Sequence, residues 1–232
     1  MRLLILLTLT LFTGNYTDAQ DLEIIDQDYD AAIRMATHKE KLVFVDFYTT
    51  WCQPCKKLDK LVFANDSIRK VLGEDFILLK YDAENDTVFH LSKKHHVGSY
   101  PTGLILDAEG RVLTRKYGFV GNDFGTLSQS VMAFANEGLG LNEKGKILAG
   151  YSGEIDPSVY PGFYVDYVNR TDTDVDSSEI NNYLSLAKDI LSEQYFSTLL
   201  YFATFASDEI ANATSENRDD YMARYGELDV EM

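Results

Sequence analysis

Apolar and polar positions change rhythm several times along the chain. Leu3 to Phe12 is apolar except for two threonines. Within residues 22–37, which are rich in acids, Tyr29, Ala32, Ile33 and Ala36 recur at helical spacing. Leu42-Val43-Phe44-Val45-Asp46-Phe47 is a run of strand length broken only by Asp46, as expected of a central strand buried on both faces. After Trp51 the spacing becomes helical again through Cys55, Leu58, Leu61 and Val62. Asp66 is placed to cap a short helix through Ile68, Val71 and Leu72, which Gly73 would end. Phe76 to Tyr81 reads as a second strand, and Asp86 as the cap of a helix carrying Val88, Phe89 and Leu91 and ending near Val97-Gly98. Thr102 to Leu106 and Val112 to Tyr117, joined by Asp107-Ala108-Glu109-Gly110, predict an antiparallel hairpin. Asn122 or Asp123 would cap a last helix through Phe124, Leu127, Val131 and Phe134, with Gly138-Leu139-Gly140 as its stop. The order helix, strand, helix, strand, helix, hairpin, helix predicts an α/β unit over residues 22–138, a mixed central sheet flanked by helices.

Residues 139–232 follow a different pattern and predict a smaller all-α region. Asp156-Pro157 and Tyr160-Pro161-Gly162 punctuate its start. Asp172, Asp174 and Asp176 sit two apart, but a calcium loop counted from Asp172 would place Ser177 where glycine is needed and Tyr183 where glutamate is needed. The run is read instead as a solvated loop in which Asp176 and Glu179 form a capping box. Ile180, Tyr183, Leu184, Ala187, Ile190 and Leu191 share a helical face, Leu199 to Phe205 extend it, and a further helix is expected over Asp208 to Tyr225. The many aromatic side chains of this region read as packing.

Charge narrows the list of partners. With 21 Lys+Arg against 37 Asp+Glu, the net charge is −16, which argues against nucleic acid and against anionic lipid surfaces. Residues 1–19 read as a cleavable secretory signal: Arg2, a short apolar core, then Thr17-Asp18-Ala19 before Gln20. The core is too short to span a bilayer, which takes about 20 apolar residues, so no stable membrane insertion is expected once the signal is cut. The expected destination is outside the cytosol, a bacterial periplasm or the exterior. Thiols there tend towards disulfides. A bridge between Cys52 and Cys55 would close so small a loop that it adds little stability, so this spacing suits reversible chemistry better than stapling.

Trp51-Cys52-Gln53-Pro54-Cys55 follows the buried strand and opens a helix. A thiol in a helix's first turn meets unpaired N–H groups and the positive end of the helix dipole, which favour its thiolate. Pro54 costs little there because first-turn amides have no intrahelical bond to lose. Cys52 is therefore the candidate nucleophile and Cys55, one turn on, the candidate resolving thiol. A zinc site built from the two cysteines with His95 and His96 fits less well, since adjacent histidines point in different directions.

Val45-Asp46-Phe47-Tyr48, the motif Trp51-Cys52-Gln53-Pro54-Cys55-Lys56, Lys80 and Tyr100-Pro101-Thr102 together resemble thioredoxin over roughly residues 26–137. Thr49-Thr50-Trp51 and Leu61-Val62-Phe63-Ala64-Asn65-Asp66 are most similar to exported thioredoxin-like proteins. The resemblance implies a thioredoxin fold, dithiol–disulfide exchange and no cofactor. It implies protein disulfides as substrates and an upstream dithiol as electron donor. It also assigns roles: attack to Cys52, resolution to Cys55, proton transfer near Cys55 to Asp46, electrostatic support to Lys80, and a cis-proline substrate edge to Pro101, with Trp51 and Tyr100 beside it. Asp46 suits its role physically, because a lone acid in an apolar strand should hold its proton more tightly than usual. Gln53-Pro54 stands where the family often has Gly-Pro. With no basic residue between the cysteines, the motif points to a reductant or exchanger rather than a strong oxidant. The alternative reading is a thioredoxin-fold binding module whose helical extension holds a partner and whose redox activity is minor.

Overall fold

The computed structural model describes residues 21–226, so the expected leader at 1–19 lies outside the described residues. One five-stranded sheet organises the first half. Its strands are β1 (Glu23–Asp26), β2 (Leu42–Tyr48), β3 (Phe76–Asp82), β4 (Thr102–Leu106) and β5 (Val112–Tyr117), in spatial order β1-β3-β2-β4-β5. β1 and β2 run parallel to β3, whereas β4 is antiparallel to both β2 and β5. The mixed sheet and the hairpin agree with the reading of the sequence. The set Tyr29, Ala32, Ile33 and Ala36 lies on the helix α1 (Tyr29–Lys39), which Asp28 caps by accepting from the Ala31 amide, but the sequence gives no sign of β1 ahead of it. β1 is a four-residue edge strand alternating between half-buried and exposed positions, too short to show a period of its own.

β2 is buried along nearly its whole length, and its alternation divides the core. Leu42 and Phe44 face one cluster, with Leu58, Val62, Val131 and Phe134. Val43, Val45 and Phe47 face the other, with Ala32, Ala36, Leu91 and Val97. Helices therefore cover both faces, α1 on one and, on the other, α2 (Gln53–Leu58), α3 (Asp66–Asp75) and α5 (Phe124–Glu143).

Several helix ends differ from expectation. Asn65, not Asp66, caps α3, accepting from the Ser67 and Ile68 amides, and α3 runs through Gly73 to Asp75. His90, not Asp86, is the N-cap of α4 (Leu91–Lys94); Asp86 accepts from the Leu91 and Ser92 amides from outside the helix, and Val88 and Phe89 precede it. α5 passes through Gly138 and Gly140 to Glu143. At Gly138 a Cβ would lie 2.5 Å from Ile105 Cδ1, so the helix needs glycine there to approach β4.

The second half is helical, as expected: α6 (Gly162–Asn169), α7 (Ser177–Leu186), α8 (Glu193–Phe202), α9 (Asp208–Glu216) and α10 (Arg218–Tyr225). Two expected helices are each divided. The apolar face from Ile180 to Leu191 breaks after Leu186, and Asn217 separates α9 from α10. Asp176 caps α7 through the Ser178 amide. The aromatic side chains do pack: Tyr164, Phe196, Phe202, Tyr221 and Tyr225 form the centre of a third core, with Phe196 stacked on Tyr225 at 3.9 Å.

This helical half is joined to the sheet through buried polar groups. Leu148 donates its amide to Val112 of β5, and Tyr151 packs against both the second and third cores. His96, fully buried after α4, lies 2.8 Å from the Tyr164 hydroxyl through Nδ1 and 2.9 Å from Glu193 Oε1 through Nε2. The other Glu193 oxygen accepts from the Ser152 amide. Arg115 of β5 donates to the carbonyls of His95 and His96.

Candidate active site

β2 ends at Tyr48, and a turn closed by the Cys52 amide donating to Thr49 O delivers Cys52 to the start of α2. Cys52 is the N-cap, and its sulfur accepts from the Cys55 amide at 3.2 Å. One of the helix's unpaired amides therefore points at that sulfur, which favours negative charge on it. Pro54 sits in the first turn, where it displaces no intrahelical bond. Cys52 and Cys55 are joined in a disulfide. They are 3% and 1% exposed, so in this oxidised form burial barely separates them; position relative to the helix end does.

Sheet register explains the ion pair beneath them. Asp46 on β2 stands opposite Lys80 on β3, on the face that carries Leu42, Phe44, Phe76 and Leu78. The Lys80 ammonium lies 2.5 Å from Asp46 Oδ2, also donates to Asp59, and sits over the Tyr48 ring at 4.6 Å. Burial pushes the Asp46 carboxyl above its ordinary pKa, against the pull of Lys80. For Lys80, burial works against the charge, but the Asp46 and Asp59 carboxylates outweigh it and the pKa is raised. Asp46 Oδ1 is buried with no hydrogen-bond partner among the described residues. A fully buried acid that tends to keep its proton and has one oxygen unengaged is suited to passing a proton.

Asp59 was not singled out in the sequence. It follows Cys55 by four residues and opens a π-helical turn, Asp59–Phe63, that continues α2. An acid one turn past the second cysteine was the available signal.

The Tyr100–Pro101 bond is cis. Trp51 is 62% exposed, meets Tyr100 edge-on at 6.2 Å between centroids, and donates its indole N–H to Glu84 at 2.8 Å. Burial pushes the Tyr100 hydroxyl up to about 12. The histidines weighed as zinc ligands belong to the junction with the helical half: His96 bonds Tyr164 and Glu193, and His95 meets the Tyr151 ring. No group of three or more potential metal ligands is found among the described residues.

Residues 24–108 match the family model described as thioredoxin-like. The thiol:disulfide interchange protein DsbD of Ralstonia nicotianae is 33% identical over 85 residues, 36% of this chain and 14% of that protein. Protein disulfide isomerase-like 5-3 of Oryza sativa is 33% identical over 90 residues, 39% of this chain and 20% of that protein. The solution structure of a candidate disulphide-isomerase from Bacteroides thetaiotaomicron is 33% identical and covers 50% of this chain and 95% of its own, with a TM-score of 0.42. The chain thus spans a small fraction of the curated relatives it matches.

Proposed function

From a chain whose residues 24–108 belong to the thioredoxin-like family, we propose a thiol–disulfide oxidoreductase that reduces or exchanges disulfides of exported proteins through Cys52 and Cys55. The observation that carries this reading is the Cys52–Cys55 disulfide at the head of α2, with the first sulfur at the helix cap. In the dithiol form, the Cys52 thiolate attacks a substrate disulfide. One substrate sulfur leaves as a thiolate and takes up a proton, and the other is held in a mixed disulfide. Cys55 gives its proton towards Asp46 and attacks the Cys52 sulfur. The substrate departs with two electrons as a dithiol, leaving the Cys52–Cys55 disulfide. An upstream dithiol must then return the electrons. Lys80 holds the Asp46 carboxyl, while Trp51, Tyr100 and the Pro101 edge receive the substrate.

The DsbD likeness and the signal-like start support a periplasmic or secreted setting. The domain reading is a leader over 1–19, a thioredoxin-like domain over 22–138 whose last helix continues to Glu143, and a helical extension to the end of the sequence.

Trapping tests the assignment. Cys55→Ser should accumulate mixed disulfides, visible as higher-mass species on non-reducing gels, and Cys52→Ser should trap little. Wild type should accelerate insulin reduction by dithiothreitol. Equal trapping by both variants would overturn the choice of nucleophile, and no acceleration with no adduct would favour the binding-module reading.

A further inference from the structure

A groove of about 580 Å³ opens beside the redox pair, and its walls come from both halves of the chain. Trp51 and Tyr100 line one side. Tyr167, Val168 and Arg170, at the end of α6, and Tyr201 of α8 line the other. The second wall is fixed in place. Tyr201 covers Gly98, just ahead of Tyr100-Pro101, so closely that a Cβ there would lie 3.0 Å from its ring. Lys93 donates to Asn169 Oδ1 at 3.0 Å, tying the end of α6 to α4.

The charged groups facing the groove are unequally engaged. Glu84 accepts from Trp51, Asp86 is bonded by the Leu91 and Ser92 amides, and Lys93 is committed to Asn169. Arg170 is exposed in a left-handed turn at the C-terminus of α6. Its guanidinium has no hydrogen-bond or ion-pair partner among the described residues, although its charge reaches Tyr100. Trp51 directly precedes Cys52, so a polypeptide attached to Cys52 can run past Trp51 and Tyr100 into this groove. It would find aromatic surface for an apolar side chain and an uncommitted cation for an acidic one.

We propose that the helical extension forms one wall of the substrate groove, and that Arg170 selects polypeptide substrates carrying a carboxylate close to the reacting cysteine. This rests on the oxidoreductase reading above.

The test uses the full-length reduced protein with two disulfide-bonded peptides identical except for Glu or Lys beside the cysteine. Hydroxyethyl disulfide, too small and uncharged to use the groove, serves as control. Wild type should prefer the Glu peptide in kcat/KM, and added salt should shrink the preference. Arg170→Glu should lower kcat/KM for the Glu peptide about fivefold, as expected for an exposed ion pair replaced by repulsion. It should raise that for the Lys peptide and leave hydroxyethyl disulfide unchanged. Equal use of both peptides by wild type and variant would overturn the proposal. So would an equal loss on all three substrates, which would place the effect in the fold or the exchange chemistry. A wild type unable to reduce even hydroxyethyl disulfide would instead overturn the oxidoreductase reading itself.

Discussion

At the scale of single residues, the decisive placement is a carboxyl in an apolar strand. Asp46 interrupts an otherwise hydrophobic run, so a buried acid was legible from the sequence, and β-strand register supplies Lys80 directly opposite. Asp59 was harder to see, because it belongs to the site only once the π-helical turn brings it to Lys80. We expect Asp46→Asn to slow the resolving step about 10²-fold, the low end of what positioned proton transfer contributes, and to flatten its pH profile between pH 6 and 9. Stopped-flow release of the second substrate thiol would measure both. Stability should move the other way. The native state holds the Asp46 proton more tightly than the unfolded chain does, so ionisation weakens the fold as pH rises above the ordinary carboxylate pKa of about 4. The guanidinium midpoint of Asp46→Asn relative to wild type should therefore improve from pH 4 to pH 8. A difference constant across that range would show that the Asp46 charge costs the native state nothing.

At the scale of elements, the buried strands and the hairpin were legible because strand periodicity and turn chemistry agreed. The boundaries were less so, because local signals have more than one use. Gly138 reads as a helix stop if only propensity is considered, yet its lack of a Cβ is what lets α5 lie against Ile105. Two glycines two residues apart make the distinction measurable. Gly140 has nothing within 4 Å of a built Cβ, so Gly140→Ala should stabilise by up to about 1 kcal/mol, the ordinary helix preference. Gly138→Ala gains the same preference but drives a methyl into two carbons of Ile105 at 2.5 and 2.8 Å. Overpacking of about 1–3 kcal/mol should win, giving a lower denaturation midpoint. Adding Ile105→Val, which removes the nearest carbon, should recover part of the loss. If both alanine variants stabilise alike, the close approach is not energetically important.

At the scale of the whole molecule, the helical character of the extension is legible in its residues but its attachment to the sheet is not. His95-His96 looked like a possible ligand pair, and nothing near it in sequence pointed to Tyr164 or Glu193, 68 and 97 residues away. Long-range polar pairing leaves no periodic trace. Burial lowers the pKa of both histidines, that of His95 to about 3, so both are held neutral. His96 then donates Nε2–H to Glu193 and accepts from the Tyr164 hydroxyl. The native state binds fewer protons than the unfolded chain below the ordinary histidine pKa, so their contribution is present at pH 7 and lost as pH falls from about 6.5 towards 3. Tyr164→Phe should remove about 1–3 kcal/mol by leaving a buried ring nitrogen unbonded, read as a lower denaturant midpoint at pH 7. A variant as stable as wild type would mean that this contact does not tie the halves together. The separation of His96 from Glu193 also has a consequence in time. On a chain made from its N-terminus at about 5–20 residues per second, those 97 residues take on the order of 5–20 s to synthesise. The cysteines, the sheet and the Pro101 loop are all made before the segment that carries α8. The groove wall that carries Tyr201 is therefore made after the redox pair it flanks.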